Sequence, residues 1–305
     1  MVYTVTFNPA IDYVVQTGEM TAGTVNRAKS AEILFGGKGI NVSMLLNELG
    51  IKSRALGFTA GFTGEAIERS VAEKGIEADF VRLESGFSRI NVKIRSDASG
   101  TETELNGQGP AVDAKALDGF FRRLDRIEDG DTVVLAGSIP AGMSPDIYEK
   151  ILEYLKNSRK KNINAVVDAT GDLLLSVLKY KPFLVKPNNF ELGEMFGTTL
   201  SSKEEIEKYA RRLKEMGARN VLVSMAGDGA LLLDENGMTH FCGVCKGTVK
   251  NSVGAGDSMV AGFIAGYEQG GCEYALKLGT AAGGATAFSE GIGKRDDIYR
   301  LLEQL

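Results

Sequence analysis

The chain has 305 residues and a formal net charge of −5, so its surface as a whole is acidic. This balance argues against a general nucleic-acid or anionic-membrane surface, and an anionic ligand would need positive charge concentrated locally. With 43% hydrophobic and 25% charged residues, the composition is that of an ordinary globular protein.

The first 112 residues predict mostly strands, with two helices between them. The chain starts with a strand pattern and no basic leader, and no apolar stretch approaches the roughly 20 residues of a membrane span. A pair of alternating segments across the Asp97–Gly100 turn predicts a hairpin with one polar face. Strands are predicted over 2–7, 12–17, 25–35, 54–58, 79–83, 88–94 and 101–105, and helices over 42–49 and 65–74.

From residue 113 the pattern changes to regular helix–strand alternation, with strands that are apolar on both faces. Such strands predict a mostly parallel sheet covered by helices on both sides. Ser144-Pro145 predicts a helix start, Asn236-Gly237 predicts a hairpin turn, and the small residues of 275–285 predict a closely packed helix. Strands are predicted over 132–136, 163–167, 183–186, 221–225, 230–233 and 238–242, and helices over 113–125 and 202–216.

Polar residues follow several of these strands at the point where each strand ends. Because ligands of such sheets bind at the carboxyl ends of the strands, this shared placement predicts a binding site there. The residues in question are Ser138, Asp168, Lys186, Asn188, Ser224 and Gly227.

Two glycine turns each lead into a helical pattern. One is 36–41, which contains Lys38, and the other is 251–258, where Asp257 follows Gly254, Ala255 and Gly256. A glycine turn at a helix start can bind an anion, because free N–H groups and the helix dipole point to the same spot. An acid beside such a site would suit a general base. Each turn could also be an ordinary loop-to-helix connection, with Lys38 solvated and Asp257 favoured merely as a first-turn acid.

Three cysteines, an odd number, do not form a disulfide framework, and a reducing cytoplasm fits best. Cys242 and Cys245 form a C-x-x-C pair, but the only other candidate ligands of that type are Cys272 and His240. We interpret these cysteines as small apolar residues of a strand region rather than as metal ligands.

The sequence lacks the motifs of several nucleotide and hydrolase sites. It contains no G-x-x-x-x-G-K-[ST], no H-R-D and no complete G-x-G-x-x-G after the first strand, and the only histidine is unsuited to a serine triad. What remains is two anion sites, one acid at a helix start and cations near loops. Phosphoryl transfer between small molecules requires these parts, together with Mg²⁺.

The two glycine motifs resemble the signatures of the PfkB, or ribokinase-like, sugar kinases, and the similarity covers essentially the whole chain. Within that family, the chain most resembles the 1-phosphofructokinases, with tagatose-6-phosphate kinases nearby. The similar segments are Asn8–Asp12, Gly36–Asn41, Arg89–Ile94, Ala136–Pro140, Lys186–Glu191 and Val253–Asp257.

The resemblance implies a single domain, 1–305, with a ribokinase-like three-layer α/β/α sandwich around a mostly parallel sheet. A small β-sheet lid would be formed by about 12–35 and 87–107. The implied cofactors are ATP and Mg²⁺, and a monovalent cation near the anion hole is a further option that the sequence leaves open. Exposed lid strands also invite a homodimer through the lids.

The resemblance also implies a role for each motif residue. Asp257 would be the base, with the amides of Gly254, Ala255 and Gly256 as the anion hole. The sugar phosphate would contact Asp12, Gly37, Lys38, Asn41 and, through its phosphate, Arg27, Arg89 and Ser138. The nucleotide would contact Lys186, Asn188, Glu191, Ser224, Gly227 and Gly229, with Glu191 linked indirectly to the metal.

The expected reaction is transfer of the ATP γ-phosphoryl group to the 6-hydroxyl of fructose 1-phosphate. A tagatose-6-phosphate kinase or a 6-phosphofructokinase of the same family are the alternatives. A non-catalytic sensor of sugar phosphates or nucleotides is an alternative of another class, but a sensor has no need of a base such as Asp257 beside its anion site.

Overall fold

The computed structural model describes residues 1–140, 142–158 and 162–305. Its strands are β1 Val2–Thr6, β2 Ala10–Thr17, β3 Ser30–Gly36, β4 Ser53–Ala60, β5 Glu77–Leu83, β6 Arg89–Ser96, β7 Thr101–Asn106, β8 Thr132–Ala136, β9 Asn164–Asp168, β10 Leu184–Val185, β11 Asn220–Ser224, β12 Ala230–Leu233 and β13 Thr239–Cys242. Its helices are α1 Lys38–Glu48, α2 Gly61–Glu73, α3 Ala114–Leu124, α4 Ile147–Asn157, α5 Gly171–Val177, α6 Asn189–Met195, α7 Lys203–Glu215, α8 Ala255–Ala287 and α9 Arg295–Leu302.

The large sheet has the strand order β13-β12-β11-β10-β9-β8-β1-β4-β5. The strands from β11 to β5 pair in parallel, and the β12–β13 hairpin adds an antiparallel edge. Successive residues of a strand point to opposite faces, and these strands are apolar on both, so each face requires its own cover of helices. Helices α3 to α7 pack on one face, and α1, α2, α8 and α9 pack on the other. The predicted three-layer architecture is confirmed.

A separate sheet with the order β3-β2-β6-β7 packs against helix α2 through β2 and β3. In its register, Ile11, Tyr13 and Val15 share one face with apolar residues of the neighbouring strands. Asp12 and Asn91 lie on the opposite face. The small sheet that the sequence predicted is therefore present, with one apolar and one polar face, and its function as a lid stays a prediction.

The strand predicted over 25–35 begins only at Ser30. The side chain of Asn26 accepts a hydrogen bond from the Thr21 N–H at 3.0 Å and donates one to the Thr21 carbonyl at 2.9 Å, which closes a loop where strand pairing was expected. The helix predicted to start at Ser144-Pro145 begins at Ile147, with Asp146 at the N-cap position. The helix predicted over 42–49 begins at Lys38, within the first glycine turn and directly after Gly37.

Helix α8 carries the second glycine turn at its start and the small-residue segment in its second half. It is interrupted at Gly270 and Gly271, whose backbone angles are not helical. In the second half, glycines let the backbone approach the first half closely: a Cβ on Gly279 would lie 2.9 Å from the Met259 carbonyl oxygen. Among the described residues, no helix combines the length and the apolar character that crossing a bilayer requires.

Thr6, at the end of β1, fixes the position of the first glycine turn. Its hydroxyl accepts a hydrogen bond from the Ile40 N–H at 3.1 Å, and a Cβ on Gly37 would lie 2.5 Å from its methyl group. On its other side Thr6 pairs with Gly57 of β4, where an added Cβ would lie 1.9 Å from the Thr6 carbonyl oxygen. Close packing around Thr6 therefore sets where Lys38 and the start of α1 lie.

We expect Gly57→Ala to lower the free energy of unfolding by about 3 kcal/mol or more, because β1 and β4 must separate to admit the methyl group. Gly130→Ala is the matched control. Its φ of +85° is also positive but nothing lies within 4 Å of an added Cβ, so only backbone strain of about 1 kcal/mol should appear. Urea denaturation of both variants measures the difference, and equal losses would contradict the packing argument.

Candidate active site

Asp257 lies in the first turn of α8, directly after Gly256. Gly254 occupies the N-cap position with a φ of +80°, a left-handed conformation that favours glycine. The Asp257 side chain is buried, and its Oδ2 accepts a hydrogen bond from Asn41 Nδ2 at 2.8 Å. The two glycine motifs, about two hundred residues apart in the chain, are thus joined by one hydrogen bond.

Burial, the largest cause, and the negative charge of Asp168 together raise the pKa of the Asp257 carboxyl to about 6. The hydrogen bond from Asn41 and the charges of Lys38 and Lys186 act against this rise. A carboxyl group balanced in this way can accept a proton near neutral pH, which is the property of a general base.

Asp168 links the two lysines of the site. It is almost completely buried, and its carboxylate oxygens lie 3.3 Å from Lys38 Nζ and 3.5 Å from Lys186 Nζ. Burial alone would lower the pKa of Lys38, but the Asp168 and Asp257 carboxylates outweigh burial and raise it. Lys38 can therefore offer positive charge to an anion in the site. Lys186 lies beside Gly256, where an added Cβ would lie 3.2 Å from Lys186 Nζ.

Asn188 and Glu191 form a reciprocal cap at the start of α6. Asn188 Oδ1 accepts from the Glu191 N–H, and Glu191 Oε2 accepts from the Asn188 N–H, both at 2.8 Å. One carboxylate facing a cavity suits a Mg²⁺ ion that is otherwise held by phosphate and water. The described residues contain no group of three or more metal-ligating side chains, so a metal here would depend on the nucleotide for its other ligands.

Three cavities meet around these residues. The central cavity, of about 420 Å³, contains the predicted residues Asp12, Gly37, Lys38, Asn41, Arg89, Lys186, Asn188, Glu191, Ser224, Gly254, Gly256 and Asp257. The outer cavity, of about 460 Å³, shares Gly37, Lys38, Arg89 and Asp168 with it and adds Ser138. The apolar cavity, of about 620 Å³, shares Asn188, Ser224 and Gly256 with the central cavity and adds Ala255, Gly227 and Gly229.

For two residues with a predicted role in ligand binding, the structure differs from what that role would require. Arg27 lies in the exposed segment between β2 and β3 and lines none of these three cavities. The Ala255 N–H donates to the Ser252 carbonyl oxygen at 3.2 Å, so this amide already has a partner within the turn. An anion bound by Ala255 would have to replace that hydrogen bond.

Sequence reasoning assigned no role to Asn91, which lines the central cavity. Its Nδ2 donates to Asp12 Oδ1 at 2.8 Å. A signal existed, because Arg89, Asn91 and Lys93 alternate along β6 and therefore share one face. Cys242 and Cys245 are buried in the core beside α8 and α9, consistent with their interpretation as small apolar residues.

The model of the family described as pfkB family carbohydrate kinase matches residues 5–297. The chain is 47% identical over 306 residues to the 1-phosphofructokinase of Bacillus subtilis, covering 100% of the chain and 98% of that relative. It is 38% identical over 308 residues to the D-tagatose-1-phosphate kinase of Bacillus licheniformis, covering 100% and 98%.

Among solved structures, phosphofructokinase-2 from Escherichia coli in complex with potassium superposes with a TM-score of 0.91. The sequence identity is 25%, and the match covers 99% of this chain and 98% of that one. The family match spans nearly the whole chain and includes both glycine turns, α8 and the small sheet. The chain therefore belongs to the pfkB family of carbohydrate kinases and is an ATP-dependent sugar kinase.

Proposed function

We propose that the protein transfers the γ-phosphoryl group of ATP to the 6-hydroxyl of fructose 1-phosphate, which gives fructose 1,6-bisphosphate. The observation that carries this proposal is the position of Asp257 between two cavities. The apolar cavity and the central cavity share Gly256, the residue directly before this buried acid. A nucleotide in the first cavity and a sugar in the second would thus face each other across the Asp257 turn.

In this reaction Asp257 takes the proton of the 6-hydroxyl as the oxygen attacks phosphorus. Asn41 holds one carboxylate oxygen, which leaves the other free to face the hydroxyl. Amides at the start of α8, together with Lys186, stabilise the negative charge of the phosphoryl group during transfer. Bound Mg²⁺ would supply charge neutralisation at the ATP phosphates, with Glu191 as its indirect protein partner.

The outer cavity suits the phosphate that the sugar already carries. Arg89 and Lys38 bring two cations to its border with the central cavity, and Ser138 adds a hydroxyl. An unphosphorylated sugar would not require these cations in an acidic protein. The curated relatives in Bacillus species carry names that refer to 1-phosphate ketoses, and D-tagatose 1-phosphate is accordingly the second candidate substrate.

The apolar face of the small sheet suits a second copy of this chain. Tyr13 of β2 pairs with Ile33 of β3, and Leu105 of β7 lies in the same row on the other side of β6. Each of these three side chains remains substantially exposed. Exposed sheet faces of this kind are usually covered by a partner. A tetrameric form is known for the related phosphofructokinase-2 from E. coli.

Arg27, on the exposed connection within the same sheet, stays a candidate ligand of the sugar phosphate.

A monovalent cation near the Asp257 turn is also part of the proposal. The support is the potassium complex of the related E. coli enzyme. In this chain the turn is held against the end of α8 by the Lys250 and Asn251 N–H groups, which donate to the Ala287 carbonyl oxygen at 2.8 and 3.2 Å. A cation that orders this turn would act on the position of the helix start and hence on the phosphoryl group.

The substrate assignment predicts a preference for fructose 1-phosphate in initial-rate assays with ATP and Mg²⁺. The panel contains fructose 1-phosphate, tagatose 1-phosphate, fructose 6-phosphate and tagatose 6-phosphate. We expect kcat/KM for fructose 1-phosphate to exceed that for either 6-phosphate by about tenfold or more, a difference of about 1.4 kcal/mol in transition-state binding. A preference of that size for a 6-phosphate would refute the assignment.

The raised pKa of Asp257 predicts an acidic limb in the pH profile. The base must be deprotonated to act, so kcat/KM should fall about tenfold for each unit of pH below about 6. Asp168→Asn removes a neighbouring negative charge, which lowers the pKa of Asp257 and should move the limb to lower pH by about one unit. A limb that stays in place in this variant would instead report titration of the substrate phosphate.

A further inference from the structure

Lys93 occupies an unusual place on the polar face of the small sheet. Its Nζ lies 3.5 Å from Asp12 Oδ2, on β2, and 3.3 Å from Glu104 Oε1, on β7. The other oxygen of Asp12 accepts from Asn91 Nδ2 at 2.8 Å. Each oxygen of the Asp12 carboxylate thus has its own partner, and both partners come from β6.

Lys93 is more deeply buried than the neighbouring cation on the same face of β6. Only 9% of its side chain is exposed, and a lysine is rarely buried to this extent unless paired. Two positions farther along β6, Arg95 pairs with Glu102 of β7 at 2.6 Å, with 29% of the arginine side chain exposed. That contact is an ordinary cross-strand ion pair. Lys93 makes the equivalent contact to Glu104 and, in addition, the contact to Asp12.

We propose that Lys93 is a positioning residue, which holds the Asp12 carboxylate toward the sugar and so contributes to recognition of the ketose phosphate. The inference rests on the proposed function, because it takes Asp12 as a ligand of the sugar hydroxyls. Asp12 lines the central cavity, whereas Lys93 lines none of the three cavities around the site. Lys93 therefore acts through Asp12 and not by touching the sugar.

The physical effect is a reduction in the freedom of the Asp12 side chain. An ionised carboxylate can accept about four hydrogen bonds, so two anchors leave acceptor sites free for sugar hydroxyls in a fixed direction. Without Lys93, Asp12 would face Glu104 with no cation between them, and repulsion would turn the carboxylate away from the cavity. Substrate binding would then have to reverse that rotation, which weakens affinity without changing the phosphoryl-transfer step.

The test compares Lys93→Met with Arg95→Met, which removes the neighbouring ion pair from the same face of the same strand. We expect Lys93→Met to raise KM for the sugar phosphate about tenfold, with kcat and KM for ATP changed by less than about twofold. We expect Arg95→Met to leave all three parameters within about twofold. Lys93→Arg, which keeps the charge, should recover most of the lost affinity.

A double-mutant cycle with Asp12→Asn separates the positioning role from a general weakening of the sheet. If Lys93 acts through Asp12, adding Lys93→Met to Asp12→Asn should change KM by less than about twofold. Equal effects of Lys93→Met and Arg95→Met on KM, or full additivity in the cycle, would overturn the proposal. Should Lys93→Met fold poorly, Glu104→Gln provides the test, because it removes the second carboxylate beside Lys93 and keeps Asp12. KM for the sugar phosphate should then change by less than about twofold, and a tenfold rise would overturn the proposal.

All variants are assayed with the ketose phosphate that the wild type prefers in the substrate panel. Failure of the proposed substrate therefore appears in the wild type alone, and failure of the Lys93 proposal appears only in the comparison of variants. Calorimetric binding of the sugar phosphate without nucleotide gives a readout besides turnover, and there the loss of affinity for Lys93→Met should again be about tenfold.

Discussion

The hydrogen bond between Asn41 and Asp257 is the contact on which the rest of the site depends. An acid buried beside an anion-binding helix start is unfavourable unless other groups compensate for it. Asn41 compensates from the first glycine motif, and Lys38 and Lys186 compensate through their charges, with Asp168 between them. Helix α1, the end of β10 and helix α8 must therefore stay in register if Asp257 is to serve as the proposed base.

The fold provides that register through close packing at the end of β1. Thr6 contacts Gly57 on one side and the Gly37 turn on the other, so the first glycine motif has little freedom to move. The second motif is held by α8, whose two halves pack through glycines and alanines. Both turns lie at the carboxyl edge of the parallel strands, where the three cavities meet. Site geometry is thus a consequence of sheet topology and of small residues at a few positions.

Most of the candidate site could be predicted because its residues stand in short motifs. Some of these motifs end parallel strands, as those of Lys186 and Ser224 do, and others are glycine turns at a helix start, as that of Asp257 is. What escaped prediction depends on contacts between segments far apart in the chain. The pairing of Asp12 with Asn91 and Lys93 depends on the parallel register of β2 and β6, and the pairing of Asp168 with two lysines depends on side-chain burial. The start of β3 escaped because the Asn26 side chain closes a loop that the alternating pattern does not reveal.

The central claim is that Asp257 removes the proton of the attacking hydroxyl, and Asp257→Asn tests it most directly. The amide keeps the size of the side chain and can still contact Asn41, so both substrates should bind with nearly unchanged affinity. Single-turnover measurement of phosphoryl transfer should then show a rate lower by about 10² or more, the range for loss of a general base. A rate close to that of the wild type, with both substrates bound, would contradict the account.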